Sequence, residues 1–355
     1  MMLSIIKVFA PTALAFFIGI ALTPSLTRFL YANQMWKKRA GKIAPDGGET
    51  PIFNSLHKDK EVGTPRMGGV VIWISALLTT LIFSLVSIWW PENEVWSKLN
   101  FFSRNQTWLP IFTLLIGSIV GLVDDYLQIK RSRESLGGGL PFTHRALMVI
   151  LLGALGGWWF YSKLDVDYLM VPFVGELFVG WLIIPIFIAV MLGLFSSGVV
   201  DGLDGLAGGI MAIIFSAYAA IAFFQNQVDL AALSGVLAGG TLAFLWFNIP
   251  PARFYMSETG ILGLTTSLTV IAFLTQSVLV LPIIAFPLLA TSLSVIIQLT
   301  SKKLRGGKKV FLVAPLHHHF EAIGWPAYKV VMRYWVISII FAIIGMIIVL
   351  TGSIF

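Results

Sequence analysis

Long runs of apolar residues, separated by short polar segments, recur along the whole chain. They predict ten membrane-spanning helices, at residues 8–30, 67–90, 108–123, 145–163, 179–198, 206–225, 230–247, 260–276, 278–299 and 330–353. Each run is close to the length that a helix needs to cross about 30 Å of hydrocarbon. The eighth and ninth runs meet at Gln276-Ser277 with almost no loop between them. The pattern therefore predicts an all-α integral membrane protein, formed by one polytopic domain over residues 1–355.

The composition excludes a soluble globular protein. Hydrophobic residues make up 57% of the 355 residues and charged residues only 12%, whereas about a quarter of the residues in soluble domains are charged. The chain has no cysteine, which excludes disulfides, thiolate catalysis and cysteine-ligated zinc. A basic cytoplasmic face explains the net charge of +7. No basic soluble domain is present to bind nucleic acid, so we expect no nucleic-acid partner.

Basic residues set the expected orientation in the membrane. The loops between spans are numbered in chain order. Of the 24 Lys and Arg residues, 20 lie on the odd-numbered loops and their flanks. The other four, Lys7, Lys98, Arg104 and Lys163, lie on the opposite side of the membrane. Cytoplasmic loops are enriched in Lys and Arg. We therefore expect both termini to be extracytoplasmic and the odd-numbered loops to be cytoplasmic.

Two acidic motifs lie at membrane edges on this predicted cytoplasmic side. Asp124 and Asp125 directly follow the third span, where the helix dipole, mutual repulsion and the nearby apolar core all disfavour carboxylates. They could hold Mg²⁺, or one could act as a base. Asp201 and Asp204 precede the sixth span at a spacing that places both on one face of a helical turn. Capping of that helix is the alternative, but the adjacent glycines permit close approach to a ligand.

Three further segments on the same side carry polar residues. Arg66 lies at the start of the second span, after Lys60, and a helix start with basic neighbours suits an anion. Asn248, Tyr255 and Glu258 lie in or beside one short loop, although Tyr255 alone is more typical of packing. His317-His318-His319 contains three of the five histidines. Because neighbouring residues point in different directions, phosphate contacts and proton transfer fit this triple better than one shared metal.

These segments, in this order, resemble the phospho-N-acetylmuramoyl-pentapeptide transferases, a branch of the polyprenyl-phosphate N-acetylhexosamine-1-phosphate transferase superfamily. The resemblance covers the whole chain. It is carried by Thr64-Pro-Arg-Met-Gly-Gly69, Asp124-Asp125, Asp201-Gly-Leu-Asp204-Gly-Leu206, Leu245-Trp-Phe-Asn248 followed by Met256-Ser-Glu258-Thr-Gly260, and Ala314-Pro-Leu-His317-His318-His319-Phe-Glu321. The last of these motifs is the one specific for the muramoyl-pentapeptide branch.

The resemblance implies a multi-pass enzyme of the bacterial plasma membrane, with its active site on the cytoplasmic face. Such an enzyme transfers phospho-MurNAc-pentapeptide from UDP-MurNAc-pentapeptide to undecaprenyl phosphate with Mg²⁺. It releases UMP and forms lipid I, in the first membrane step of peptidoglycan synthesis. The resemblance also implies membrane lipid as the surroundings, and it allows a homodimer.

The resemblance also implies roles for individual residues. We assign Asp124, Asp125, Glu258 and His318 as the catalytic residues. In this assignment Glu258 is a metal ligand helped by Asp125 or Asp124, and Asp124 is the base that acts on the lipid phosphate. The substrate-binding residues would be Asp201, Asp204, Asn248, Tyr255, His317, His319, Lys60 and Arg66. Among these, Tyr255 corresponds to a phenylalanine that stacks on uracil.

Several positions depart from the family pattern. Glu258 stands where the family has aspartate, Ser257 where it has glycine and Gln128 where it has lysine. Residues 195–200 lack the two asparagines and the threonine that usually precede the Asp201 motif. Glutamate is one methylene longer than aspartate but can still ligate Mg²⁺.

Two alternatives remain open from the sequence. A sister transferase would use UDP-GlcNAc, although the histidine triple favours the muramoyl substrate. A secondary transporter would place ionisable groups near the middle of the bilayer, often between inverted repeats. In this chain the carboxylates gather at one interface and no repeat is visible. Whether a carboxylate or the lipid phosphate attacks first also stays open.

Overall fold

Helices form nearly all of the structure, which is a computed structural model describing residues 1–38, 62–103, 105–131 and 139–352. The helices are α1 Met2–Ala32, α2 Val70–Trp89, α3 Glu94–Leu99, α4 Trp108–Arg131, α5 Phe142–Lys163, α6 Ile183–Ser196, α7 Leu206–Phe224, α8 Val228–Asn248, α9 Ser257–Leu274, α10 Leu281–Ile284, α11 Phe286–Leu304, α12 Leu316–Ala322 and α13 Ala327–Gly352. Short 3-10 turns, Gly180–Leu182 and Ser197–Val200, flank α6. The strands β1 Tyr168–Val171 and β2 Gly175–Phe178 form one antiparallel pair after α5.

The membrane-spanning pattern agrees with the sequence. Within the described ranges, nine helical segments are long and apolar enough to cross a membrane, which confirms the prediction of an all-α integral membrane protein. The remaining predicted span, 278–299, falls on a broken segment, because α10 ends at Ile284 and α11 begins at Phe286. The buried face of α11 is polar, with Thr291, Ser292, Ser294, Gln298 and Ser301. This helix is therefore less apolar than the other nine.

The helices α8 and α9 are the most buried of the bundle. The buried threonines of α9 donate their hydroxyls to carbonyls one turn back, as Thr265 does to Ile261 at 2.8 Å. Such bonds satisfy polar side chains where water is absent. The outer helices α1 and α13 expose apolar residues such as Phe9 and Ile347, as expected for helices in contact with lipid.

Small residues bring α4 and α9 into close contact. A Cβ at Gly121 would overlap with the carbonyl oxygen of Glu258, and one at Gly117 would lie 2.6 Å from the hydroxyl of Thr266. Glycines of this kind let backbones approach closely in membrane bundles. The last turns of α4 therefore lie directly against the start of α9.

The two ends of the bundle differ in chemistry. At one end, Lys7 near the start of α1 pairs with Asp229 at the start of α8. The β-hairpin lies at this end too, because Phe173 donates to the carbonyl of Gly352 at the end of α13. The acidic motifs lie at the other end, which is formed by the C-terminal ends of α4 and α8 and the N-terminal end of α9. Which end faces the cytoplasm stays a prediction.

Candidate active site

Asp125 joins three parts of the chain at the acidic end of the bundle. Its carboxylate is fully buried, and Oδ2 accepts hydrogen bonds from the backbone N–H of Thr259 at 3.0 Å and from its hydroxyl at 2.6 Å. The other oxygen, Oδ1, accepts from Nε of Arg66 at 3.2 Å. Thr259 lies in the first turn of α9, where backbone N–H groups have no partner within the helix and favour an anion. Asp125 thus fixes Arg66 and the start of α9 together.

Arg66 is a permanent cation of the site. Burial alone would lower the pKa of its guanidinium, but the carboxylates of Asp125, Asp201 and Glu258 outweigh burial and raise that pKa above its ordinary value. The segment that carries Arg66 is held by its backbone N–H, which donates to the carbonyl of Met35 at 2.8 Å. The structure therefore brings Arg66 to the predicted carboxylates.

Arg145, in the first turn of α5, is the main residue that the sequence did not single out. Its Nη1 donates to Oε1 of Glu258 and lies 3.6 Å from Oδ2 of Asp124. Asp124 is fully buried and also accepts from the backbone N–H of Leu140 at 2.5 Å and from Gln128 at 3.4 Å. One arginine nitrogen is therefore shared by two carboxylates. The signal in the sequence was the buried acidic pair itself, because such a pair requires a cation nearby.

Asp201 positions the residue that precedes Glu258. Its Oδ2 accepts from the backbone N–H of Ser257 at 2.8 Å. Ser257 has a φ of 56°, in the left-handed region that favours glycine. This is the position where the resemblance has glycine, so the backbone shape agrees with that alignment even though the residue differs.

Asp204 and Asn248 connect two loops. Asp204 accepts from the backbone N–H of Ala252 at 3.2 Å. The side-chain amide of Asn248 accepts from the N–H of Gly205 at 2.9 Å and donates to the carbonyl of Phe254 at 2.9 Å. Both residues thus hold the loop that follows α8 against the loop that precedes α7.

The histidines at the start of α12 contact this same region. The backbone of Gly202 lies against both rings, and a Cβ there would come 2.9 Å from Nε2 of His318 and closer still to His317. On its other side, Nδ1 of His318 is 2.7 Å from Glu321. His319 instead accepts a hydrogen bond, at 3.2 Å, from the backbone of the segment before α12. The structure therefore places two of the three histidines beside the Asp201 loop.

Tyr255 is held near the site by two backbone hydrogen bonds. The backbone of Tyr255 donates to the carbonyl of Pro65 and accepts from the N–H of Gly68, both at 2.8 Å. It therefore anchors the start of α2 to the loop before α9. Lys60 lies outside the described residues, so its predicted role stays a prediction.

Carboxylate oxygens of Asp124 and Glu258 both lie beside Nη1 of Arg145, and their position suits a divalent cation. Mg²⁺ commonly takes one or two protein carboxylates, with substrate phosphates and waters as its other ligands. Asp124 and Glu258 fit this donor set because both contact the same cationic atom. Asp125 pairs instead with Arg66, so Asp124 is favoured as the partner of Glu258. Among the described residues, no three His, Asp or Glu side chains form a metal site by themselves, so a bound metal would need substrate oxygens.

Comparisons with known proteins agree with the sequence motifs. Residues 107–276 match the family described as glycosyl transferase family 4. The chain is 34% identical over 341 residues to a phospho-N-acetylmuramoyl-pentapeptide-transferase of Listeria innocua, covering 95% of this chain and 97% of the relative. Relatives with the same name are 32% identical in Caldanaerobacter subterraneus, over 94% and 96% of the two chains, and 36% identical in Shouchella clausii, over 81% and 83%. The first two similarities extend over almost the full length of both chains.

Proposed function

This chain belongs to the phospho-N-acetylmuramoyl-pentapeptide-transferase family, and on that premise we propose that it makes lipid I. It is a bacterial membrane enzyme, a glycosyl-1-phosphate transferase that acts on a lipid carrier and a nucleotide sugar. The donor is UDP-MurNAc-pentapeptide, the acceptor is undecaprenyl phosphate and the leaving product is UMP. The observation that carries this function is the pairing of buried carboxylates with Arg66 and Arg145 at one end of the membrane-spanning bundle.

The charges of this site suit transfer between two phosphates. Phosphoryl transfer depends mostly on positioning and on neutralising the charge of the phosphate oxygens. Arg66 and Arg145 supply cations next to the Asp124-Asp125 pair, and guanidinium groups bind phosphate oxygens with parallel hydrogen bonds. The apolar outer faces of the helices keep this end at a lipid surface, where a prenyl phosphate is found.

The metal in this proposal is Mg²⁺, held by Glu258 and Asp124 together with substrate oxygens. Bound there, the ion would neutralise charge on the diphosphate of the nucleotide sugar. Asp125 serves mainly to fix Arg66 and the first turn of α9. This assignment chooses Asp124 over Asp125 as the second metal ligand, because Asp124 and Glu258 lie beside the same nitrogen of Arg145.

The histidines and the Asp201 loop form the substrate pocket in this proposal. Glu321 bonds to Nδ1 of His318, which leaves Nε2 directed at the Gly202 backbone and orients the ring for a phosphate or a proton. His317 lies beside it. Asp201 and Asn248 shape the loops around the nucleotide, and Tyr255 would stack on uracil.

The direct test is turnover by purified protein. Detergent-solubilised protein is mixed with UDP-MurNAc-pentapeptide, undecaprenyl phosphate and Mg²⁺, and UMP and the lipid product are followed by chromatography. We expect both products to form in equal amounts and only when all three components are present. A parallel reaction with UDP-GlcNAc tests the sister activity. UMP release from UDP-GlcNAc but not from the muramoyl donor would contradict the proposal.

Glu258 variants test the metal assignment. Glu258→Gln removes the charge and should lower the rate at least ~100-fold, since loss of a direct ligand exceeds the roughly 10–100-fold typical of groups that only support the ligands. Added Mg²⁺ should not restore it fully. Glu258→Asp keeps a carboxylate and should retain measurable activity. Glu94→Gln, at an exposed carboxylate paired with Lys98, is the matched control. Normal turnover by Glu258→Gln would remove Glu258 from the metal site.

A further inference from the structure

Arg145 is positioned where a metal ion would have to bind. Its Nη1 touches Glu258 and lies 3.6 Å from Asp124, the two carboxylates that suit a divalent cation. Two carboxylates this close to an apolar bundle are costly without a compensating positive charge. The guanidinium of Arg145 supplies that charge.

The pairing uses only part of the hydrogen-bonding capacity of Arg145. A guanidinium binds a carboxylate most strongly through two parallel N–H bonds. Both ion pairs of Arg145 run through Nη1, and its buried Nε has no acceptor in the part of the chain that the structure describes. A buried donor without an acceptor is unfavourable. The contact with the carboxylates is therefore one that a better partner for Arg145 could replace.

The residues around Asp124 leave Arg145 as the main group that neutralises its charge. Gln128, where the resemblance has lysine, gives Asp124 a neutral hydrogen bond at 3.4 Å rather than a positive charge. The other nearby arginine, Arg66, pairs with Asp125. Among the described residues, Arg145 is thus the cation whose ion pairs join Asp124 to Glu258.

We propose that Arg145 acts as a resident cation that must leave Asp124 and Glu258 before a divalent metal can bind them. This inference rests on the metal site of the proposed function. Arg145 would be a positioning residue that keeps the carboxylates neutralised and apart from metal until an anionic substrate attracts its guanidinium. The buried Nε, which has no acceptor among the described residues, would then donate its hydrogen to a phosphate oxygen. The metal and the nucleotide sugar would consequently bind together rather than one after the other.

The test measures Mn²⁺ binding to the full-length, nucleotide-free protein by the loss of the free-ion signal in electron paramagnetic resonance. Arg145→Gln should bind Mn²⁺ at least tenfold more tightly than the unaltered protein, since a charge-assisted hydrogen bond contributes roughly tenfold or more. Lys7→Gln, which breaks an ion pair at the opposite end of the bundle, should leave the affinity unchanged. Adding UDP should increase Mn²⁺ affinity strongly in the unaltered protein and only weakly in Arg145→Gln.

A second measurement covers the case in which Arg145→Gln does not fold. Arg145→Ala is purified with methylguanidinium, which restores a guanidinium at the vacated position. Raising the methylguanidinium concentration should then weaken Mn²⁺ binding competitively. An Mn²⁺ affinity that is independent of methylguanidinium would overturn the inference.

The outcomes separate this inference from the proposed metal site. If the unaltered protein and Arg145→Gln bind Mn²⁺ equally, and Glu258→Gln abolishes binding in both, Arg145 is not a competitor but the metal site stands. If Glu258→Gln changes binding in neither background, the metal assignment itself is wrong, and the inference is wrong with it. Tighter binding in Arg145→Gln that is lost when Glu258→Gln is added supports both.

Discussion

Asp125 should contribute far more to stability than an ordinary helix cap. Asp125→Asn preserves the shape of the side chain but replaces one acceptor oxygen with an NH₂ group. If the remaining oxygen faces Thr259, the new NH₂ faces Nε of Arg66, and two donors oppose each other. If the amide turns over, the NH₂ meets the N–H and hydroxyl of Thr259 instead. Neither orientation satisfies all three donors.

The expected cost follows from the burial of the pair. Asp125 is fully buried and the Arg66 side chain is only 18% exposed. Breaking a buried ion pair by removing one partner costs about 3–5 kcal/mol. We expect the lower end of this range, about 3 kcal/mol, because Arg66 keeps the attraction of Asp201 and Glu258. A helix cap alone would contribute about 1 kcal/mol.

A double-mutant cycle isolates the pair. Asp125→Asn, Arg66→Met and the double variant are compared by unfolding in mixed detergent micelles, followed by tryptophan fluorescence. Methionine keeps the apolar stem of Arg66 without its charge. The coupling free energy of unfolding should be roughly 2 kcal/mol, within the range for residues in direct contact. Asp229→Asn, in the more exposed pair with Lys7, should cost less than about 1 kcal/mol.

Two results would refute this reasoning. A coupling below roughly 0.5 kcal/mol would show that Arg66 and Asp125 do not stabilise each other. An Asp125→Asn variant of unchanged stability but without UMP release would place Asp125 in the chemistry rather than in the framework of the site.

Three further predictions follow from the backbone and the expected topology. Ser257→Gly should raise the free energy of unfolding by about 1 kcal/mol, because the φ of 56° strains any residue with a Cβ and the buried Oγ has no partner in the described chain; an unchanged or lower thermal midpoint would contradict this. Gly121→Ala should destabilise by about 1–3 kcal/mol, because its methyl group would overlap with the backbone at the start of α9. Gly193→Ala, which meets nothing within 4 Å, is its control and should be neutral or stabilising. In intact cells, an impermeant thiol reagent should label Ser97→Cys but not Lys309→Cys until the membrane is opened; the reverse pattern would invert the orientation and move the site outside.

The sequence alone determined the features that depend on residue type and local period. Runs of apolar residues predicted the membrane-spanning helices, because length and hydropathy are sufficient for that inference. The cost of adjacent carboxylates near hydrocarbon indicated a functional role for Asp124 and Asp125. The expected helix end at this pair was wrong, because α4 continues to Arg131. The order of motifs, ending in His317-His318-His319, carried the family. None of these inferences needed knowledge of which helices are neighbours.

Only the tertiary structure decided which partners these residues have. Arg145 and Glu258 are 113 positions apart in the sequence, and Asp125 and Thr259 are 134 apart, so no local pattern relates them. Asp125 and Thr259 meet because Gly117 and Gly121 let α4 approach α9 without intervening side chains.

The structure likewise separated residues that the sequence had grouped. His318 faces the Asp201 loop, whereas His319 bonds to the segment before α12, because neighbours on a helix point about 100° apart. The break before α11 was also not predicted from the sequence. The polar residues on the buried face of α11 make this helix less apolar than the other membrane-spanning helices. A residue's chemistry can be read along the chain, but its partners depend on how closely the helix backbones pack.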